Sequence, residues 1–211
     1  MPTNSVFKKT ADWRNLRVYQ KSDVLCQITE VFCRRFMPRY GDRTVDQMVQ
    51  AARSGKQNIV EGSENGKTSS EMELKLLNVA RASIAELRED YEDYLKKHRL
   101  LQWDKSNPRF AAMLQFCRQN NEYMSYEPIM EKISDEEFCN MAITLCHFTD
   151  SMLNSYLKYL EQRFITEGGI KERMHSARTG YRREQDAKMV ALEQENQRLK
   201  ELLRHNGVVL P

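Results

Sequence analysis

Residues 57–86 read QNIVEGSENGKTSSEMELKLLNVARASIAE, and they decide the fold because a polar turn within them joins two apolar helical patterns. Upstream of the turn, from Thr44 to Val60, apolar residues recur at spacings of three and four, as they do along one side of an amphipathic helix. We expect Gly62 and Gly66 to stop this helix. Two such patterns separated by a short polar turn predict an antiparallel helical hairpin.

The helix after the turn is predicted to begin at Ser69 or Ser70, whose hydroxyls suit an N-cap position. Glu71 and Glu73 then fall in the first turn, where carboxylates favour the helix dipole. Residues at spacings of three and four predict the inner face of this helix, and they are Met72, Leu76, Val79, Ser83, Leu87, Tyr91 and Tyr94.

Two further helices lead us to predict an all-α antiparallel four-helix bundle. The first extends from Val18 to Met37, and the fourth begins at Ser134 or Asp135. The inner face of the fourth is predicted to consist of Phe138, Met141, Leu145, Phe148, Met152, Ser155 and Tyr159. Proline-containing breakers between the third and fourth helices indicate an insertion. The predicted divisions are an N-terminal arm (1–15), the bundle (16–165, with the insertion at 103–134) and a C-terminal helical suffix (166–211).

Short motifs in these helices carry a family resemblance. They are LRVYQ at 16–20, AARS at 51–54, NIVEG at 58–62 and NVARASIAEL at 78–87. The combination resembles the bacterial four-helix-bundle family that includes the proteins encoded in intervening sequences of large-subunit ribosomal RNA genes and the accessory variability protein of diversity-generating retroelements. The GGIKERM segment at 168–174 resembles the opening of a C-terminal suffix found in a subset of that family. The resemblance implies a homo-oligomer, in particular a pentamer, with nucleic acid and a reverse transcriptase as partners.

Composition favours long helices and an intracellular location. The chain has 211 residues, of which 30% are charged and 9% aromatic, with only 8 glycines and 5 prolines. The N-terminal MPTNSVFKK lacks the apolar core of a signal peptide. No stretch approaches the roughly 18 to 20 apolar residues that span a bilayer. We therefore expect a cytoplasmic protein with no membrane partner.

The five cysteines are predicted to be reduced and buried. They are Cys26, Cys33, Cys117, Cys139 and Cys146. Two pairs have a spacing of seven residues, which places each pair about 10 Å apart along one helix, too far for a local disulfide. The same spacing does not match zinc-binding motifs. We expect no metal and no cofactor.

Basic residues near the end of the first helix predict a nucleic-acid-binding surface. The candidates are Arg34, Arg35, Arg39, Tyr40, Arg43, Arg53 and Lys56. Guanidinium and ammonium groups neutralise phosphates and release counterions, and a tyrosine can stack on an exposed base. The alternative is that arginines at a helix end only solvate that end and favour the helix dipole.

Polar residues within the hairpin form what we call the polar signature: Asn58, Glu61, Gly62, Ser83 and Glu86. The structural interpretation is a hydrogen-bonded link between the second and third helices, or the lining of a subunit interface with Arg53 or Arg81 as partner. A catalytic interpretation would make the two glutamates an acid–base pair or metal ligands. The paired Glu-x-x-His motifs of di-iron bundles are absent from the sequence, so we expect no enzyme.

The C-terminal suffix carries a short heptad pattern. Met189, Leu192, Asn196, Leu199 and Leu203 occupy alternating a and d positions, with Asn196 at a. Such a seam predicts a short coiled coil, in which parallel pairing through Asn196 would favour an even number of chains. The alternative is that this helix docks one apolar edge on the bundle.

Two functions follow from these patterns. The first is a non-enzymatic accessory protein that binds RNA or DNA through the basic surface. The second is a structural oligomeric adaptor whose C-terminal helix recruits a protein partner.

Overall fold

The computed structural model describes residues 12–38 and 43–205. The regular elements in these ranges are all α-helices or 3-10 helices, and the ranges contain no strand. The predicted all-α class is confirmed. The α-helices are α1 (Arg17–Phe36), α2 (Arg43–Asn65), α3 (Ser70–His98), α4 (Phe110–Gln119), α5 (Glu127–Met130), α6 (Asp135–Glu167) and α7 (Ile170–His205). The chain divides after Thr166 into two compact units, one containing α1 to α6 and the other containing α7.

The α2–α3 hairpin forms as predicted, but the prediction that Gly62 stops the helix is wrong. Helix α2 continues through Gly62 to Asn65. A Cβ atom at Gly62 would lie 3.3 Å from Leu77 Cγ and 3.4 Å from the Glu73 carbonyl oxygen. Glycine is needed here for close contact between the two helices rather than for a turn. Ser69 caps α3 by accepting a hydrogen bond from the Met72 backbone N–H at 3.2 Å.

One buried core draws apolar side chains from α1, α2, α3 and α6. Near its centre, the Phe32 ring lies 4.9 Å from the Tyr91 ring and 5.4 Å from the Phe138 ring, measured between centroids. The Tyr91 hydroxyl is paired with Thr29 Oγ1 at 3.0 Å, so this polar group is satisfied inside the core.

The predicted inner face of α3 is correct only in its C-terminal half. Ser83, Leu87, Tyr91 and Tyr94 are buried, and Leu76 is half-buried. Met72 and Val79 are 44% and 49% exposed, so their assignment to the inner face is wrong. The buried residues in the N-terminal half of α3 instead lie on the side that faces α2, and they include Glu73, Leu77, Ala80 and Ile84.

The inner face of α6 shows a similar rotation. Phe138, Met141 and Leu145 are buried as predicted, and Phe148 and Met152 are partly buried against the core. Ser155 and Tyr159 are exposed, which contradicts the prediction, and the core positions there are Leu153, Leu157 and Leu160. Successive steps of four residues turn the buried stripe around the helix, because four residues exceed one turn of 3.6.

The segment between α3 and α6 contributes to the core as well as connecting the helices. Cys117 and Tyr126 are fully buried in it. The Trp103 backbone N–H donates to Asn140 Oδ1 at 2.6 Å, and Asn140 Nδ2 donates to the Leu101 carbonyl at 2.8 Å, so this α6 side chain fixes the start of the segment.

A buried lysine holds the same segment from the other side. Lys21 of α1 is fully buried, and its ammonium group donates hydrogen bonds to the backbone carbonyls of Cys117 and Asn120 at the end of α4. Burial lowers the pKa of Lys21 to about 8. A cation beside the last carbonyls of a helix is favourable for the helix dipole.

In the described ranges, no helix combines the length and the hydropathy that crossing a bilayer requires.

Candidate interaction surfaces

The two arginines at the end of α1 contact the segment before α6. Arg34 forms an ion pair with Glu131. Arg35 is mostly buried, and its guanidinium donates to the backbone carbonyls of Met130 and, at 3.1 Å, Ile133. Both side chains therefore have acceptors within the chain, and those acceptors tie α1 to the turn after α5.

The remaining predicted nucleic-acid residues are spread along α2 or lie outside the described residues, as Arg39 and Tyr40 do. Lys56 Nζ lies 3.2 Å from Asp23 Oδ1 in a half-buried ion pair with α1. Arg43 is exposed at the first turn of α2, and Arg53 is exposed ten residues further along. Of the predicted residues that the structure describes, Arg34, Arg35 and Lys56 have partners within the chain, and a common basic surface stays a prediction.

The polar signature lies on the hairpin, with its two carboxylates exposed. Asn58 donates a hydrogen bond to the Ser54 carbonyl of its own helix at 2.8 Å. Ser83 is buried, whereas Glu61 and Glu86 are exposed and need no buried partner. Glu61 and Glu86 are therefore available to line a subunit interface, which was one of the two structural interpretations.

An acidic groove runs between α2 and α3 on the outer side of the hairpin. It has a volume of about 740 Å³, and its charged lining consists of Arg43, Asp46, Glu86, Glu89, Asp90 and Asp93. We refer to these residues and the space between them as the acidic groove. The sequence contained a signal for it, because the four acidic residues of α3 recur at spacings of three, one and three on one helix face.

Crowding in the acidic groove changes the titration of one carboxyl. Burial is the largest cause, and together with the neighbouring carboxylates of Asp93, Glu86 and Glu89 it raises the pKa of Asp90 from 3.8 to about 6. Five acidic residues against one arginine make this groove unsuited to phosphate.

A second cavity, of about 470 Å³, lies between α4 and α6. Its apolar lining includes Trp103, Phe110 and Phe148, and its polar lining includes Asn140 and His147. The Trp103 indole N–H donates to Glu136 at 2.8 Å, and the Arg109 guanidinium lies 4.5 Å above the Trp103 ring. Residues of the segment between α3 and α6 form one wall of this cavity, and residues of α6 form the other.

The cysteines are all buried and free, as predicted. Burial raises the pKa of the Cys117 thiol to about 12 and also raises the pKa values of Cys26, Cys139 and Cys146. These thiols are therefore protonated near neutral pH and are poor nucleophiles.

Helix α7 is the longest helix that the structure describes, with 36 residues, and none of them is buried. Its heptad residues are exposed: Leu192 to 63% and Leu199 to 48%, with Met189 and Leu203 on the same side. Most of the other residues between Met189 and Leu203 are polar or charged, although Val190 and Leu202 are exposed as well. Exposed leucines at a spacing of seven are typical of a helix that binds another helix.

Comparison with known proteins places no relative beside this chain: no family model, no curated protein and no solved structure matches it.

Proposed function

We propose that this protein is a non-enzymatic helical adaptor, in which a four-helix-bundle body carries a partner-binding helix. In this proposal α1, α2, α3 and α6 form the antiparallel bundle, residues 103–134 are the insertion, and α7 binds the partner. The single observation that carries it is the exposed apolar seam of α7, which the described structure leaves without a buried residue.

The physical argument concerns the stability of α7. Isolated helices are marginal in water, and most helical stability in proteins comes from packing of an apolar face. Each exposed leucine of the seam would gain about 1.5 to 3 kcal/mol on full burial. A partner helix that covers Leu192 and Leu199 would therefore order α7 and be held by it.

The family resemblance supports the adaptor proposal in a different way. The relatives it implies act as oligomeric accessory proteins. The two glutamates of the polar signature, Glu61 and Glu86, are exposed on the hairpin, where they could meet another subunit. We keep homo-oligomerisation of the body as a prediction, separate from the role of α7.

A site-specific photo-crosslinking experiment tests the adaptor proposal. A photoreactive amino acid at position 192 lies on the seam, whereas one at position 194 lies on the opposite side of the same helix. In cells that express the full chain, we expect protein adducts of defined mass from position 192 and far fewer from position 194. Equal yields from both positions, or no adduct from either, would contradict the proposal.

Nucleic-acid binding is the second candidate, and the observation that favours it also lies in α7. Residues 170–188 contain six lysines and arginines against three acidic residues, all within one largely exposed helix. Binding of this kind must weaken steeply with salt. A binding measurement with labelled RNA and DNA across a salt series, using the native chain and the R178A/R182A/R183A variant, separates the two candidates. Binding that is steep in salt and lost in the variant would favour nucleic acid over a protein partner.

A further inference from the structure

The charged residues that flank the seam of α7 have a definite order. With Met189, Asn196 and Leu203 at a, the g positions include Lys188 and Glu195, and the e positions include Glu193 and Lys200. All four flanking residues are exposed. Lys188 is within 3.6 Å of Glu184 in its own helix, and this exposed pair is weak enough to exchange for another.

These flanking charges match a second copy of the same helix. In a parallel, in-register pair, each g residue faces the e residue five positions later on the other helix. Lys188 would face Glu193 of the second copy, and Glu195 would face Lys200 of the second copy. Both contacts join opposite charges, and two-fold symmetry repeats each of them, so that four ion pairs flank the seam.

Asn196 fits the same arrangement. In a parallel in-register pair an a residue faces the same a residue of the other chain, so the two Asn196 amides would meet and could hydrogen-bond. A single asparagine at a favours two strands and one register, at some cost in stability. Leucine at both d positions, Leu192 and Leu199, is compatible with two strands.

An antiparallel pair over the same residues would be unfavourable. Reversal of one helix brings a positions opposite d positions, so Asn196 would face Leu192 and leave its amide unpaired. Reversal also brings like edges together. Glu193 would then face its own copy, as would Glu195, and like charges repel.

The pairing has a limit at its N-terminal end. Continuing the heptads upstream places Gln185 at d and Arg182 at a, where two guanidinium groups would face each other without counter-charges. The paired segment is therefore residues 185–203, which is shorter than the three to four heptads of a robust coiled coil.

We propose that α7 is a homotypic dimerisation element, in which residues 185–203 pair with a second copy of this chain as a parallel, in-register, two-stranded coiled coil. This inference rests on the proposed function, since it identifies the partner of α7 as the chain itself. The carrying observation is the charge complementarity of the e and g positions together with Asn196 at a.

Charge exchange in the full chain tests the pairing. E195K and K200E each replace two attractive contacts by two repulsive ones, and we expect each to weaken dimer formation about tenfold. The double variant E195K/K200E restores opposite charges at the same contacts and should return the dimer to native strength. Glu201 lies on the opposite side of the helix, so E201K is the matched control and should change nothing. The subunit number is read from the mass in solution over a wide range of protein concentration.

Disulfide trapping tests the orientation. An L192C variant should cross-link to itself under mild oxidation, because parallel pairing places identical d positions together. A Q194C variant, with the thiol on the opposite side, should not. In an antiparallel pair L192C would cross-link only when mixed with N196C, and that result would overturn the proposal.

The outcomes separate this inference from the adaptor proposal. A monomeric chain whose position 192 still photo-crosslinks to a different protein would overturn self-pairing and leave the adaptor standing. A five-subunit mass that none of the α7 variants changes would place self-association in the body and overturn the coiled coil. Failure of the double variant to rescue the dimer would also overturn it.

Discussion

At the residue scale, Asp90 shows how neighbours redefine a side chain. Its carboxyl is half-buried in the acidic groove, and its pKa is raised from 3.8 to about 6. Between these two pH values the unfolded chain loses the proton that the folded chain keeps, so the stability contributed by this group falls as pH rises. Above pH 6 the folded state bears the full free-energy cost of the ionised Asp90 carboxylate.

We therefore expect D90N to stabilise the fold at neutral pH. The expected gain in unfolding free energy is about 1 to 2 kcal/mol at neutral pH, after discounting for partial exposure. The gain should vanish at a pH below 3.8, where both states bind the proton. Denaturant unfolding in acidic and neutral buffers measures it. E161Q, at an exposed site on α6, is the control, and an equal gain in that variant or at acidic pH would contradict the explanation.

Neighbouring residues also change what the two arginines at the end of α1 can do. Their number near Arg34 and Arg35 predicts a basic surface, yet Glu131 and the carbonyls of Met130 and Ile133 engage both. A count of basic residues in the sequence does not record which of their side chains have acceptors within the folded chain. Those acceptors lie about 95 residues further along the chain, beyond the reach of any local pattern.

At the element scale, α2 and α3 depend on small residues at their contact. The Gly62 position leaves room for Leu77 and the Glu73 carbonyl, both within 3.4 Å of a hypothetical Cβ. A larger side chain at position 62 would fit only if these neighbours moved. The Glu73 carbonyl cannot move easily, because it belongs to the backbone of a helix.

We expect G62V to destabilise the body by about 1 to 3 kcal/mol, because overpacking forces the helices apart. G180A is a matched helical glycine in α7 with nothing within 4 Å of its Cβ position. G180A should leave the stability of the body unchanged. Alanine has a helix propensity about 1 kcal/mol more favourable than that of glycine, so the helix content of α7 should rise. Thermal unfolding followed by circular dichroism measures both variants. A G62V variant as stable as the native chain would show that the close contact is not required.

At the scale of the whole molecule, the two units differ in what stabilises them. The unit containing α1 to α6 has a continuous buried core, whereas no residue of α7 is buried. Local stability follows buried contacts, so opening should be cooperative in the first unit and separate in α7.

Hydrogen exchange on the full chain checks this difference. We expect backbone amides of α1, α3 and α6 to exchange together and slowly, and those of α7 to exchange much faster at low protein concentration. Protection of residues 185–203 should rise with concentration if two copies pair there. Amides of α7 as slow as those of the core at every concentration would contradict the prediction.

The sequence by itself determined the all-α class, the α2–α3 hairpin, the burial of the cysteines and the heptad order of α7. Each of these depends on local periodicity, capping residues or composition, which a linear pattern records. Tertiary structure alone decided which sides of α3 and α6 are buried: Met72, Val79 and Tyr159 fit the period but lie outside, because neighbouring helices set the rotation of a helix. It also decided that Lys21 is buried and that the carboxylates of α3 form a groove with α2. Such contacts join residues far apart in the chain, and only packing brings them together.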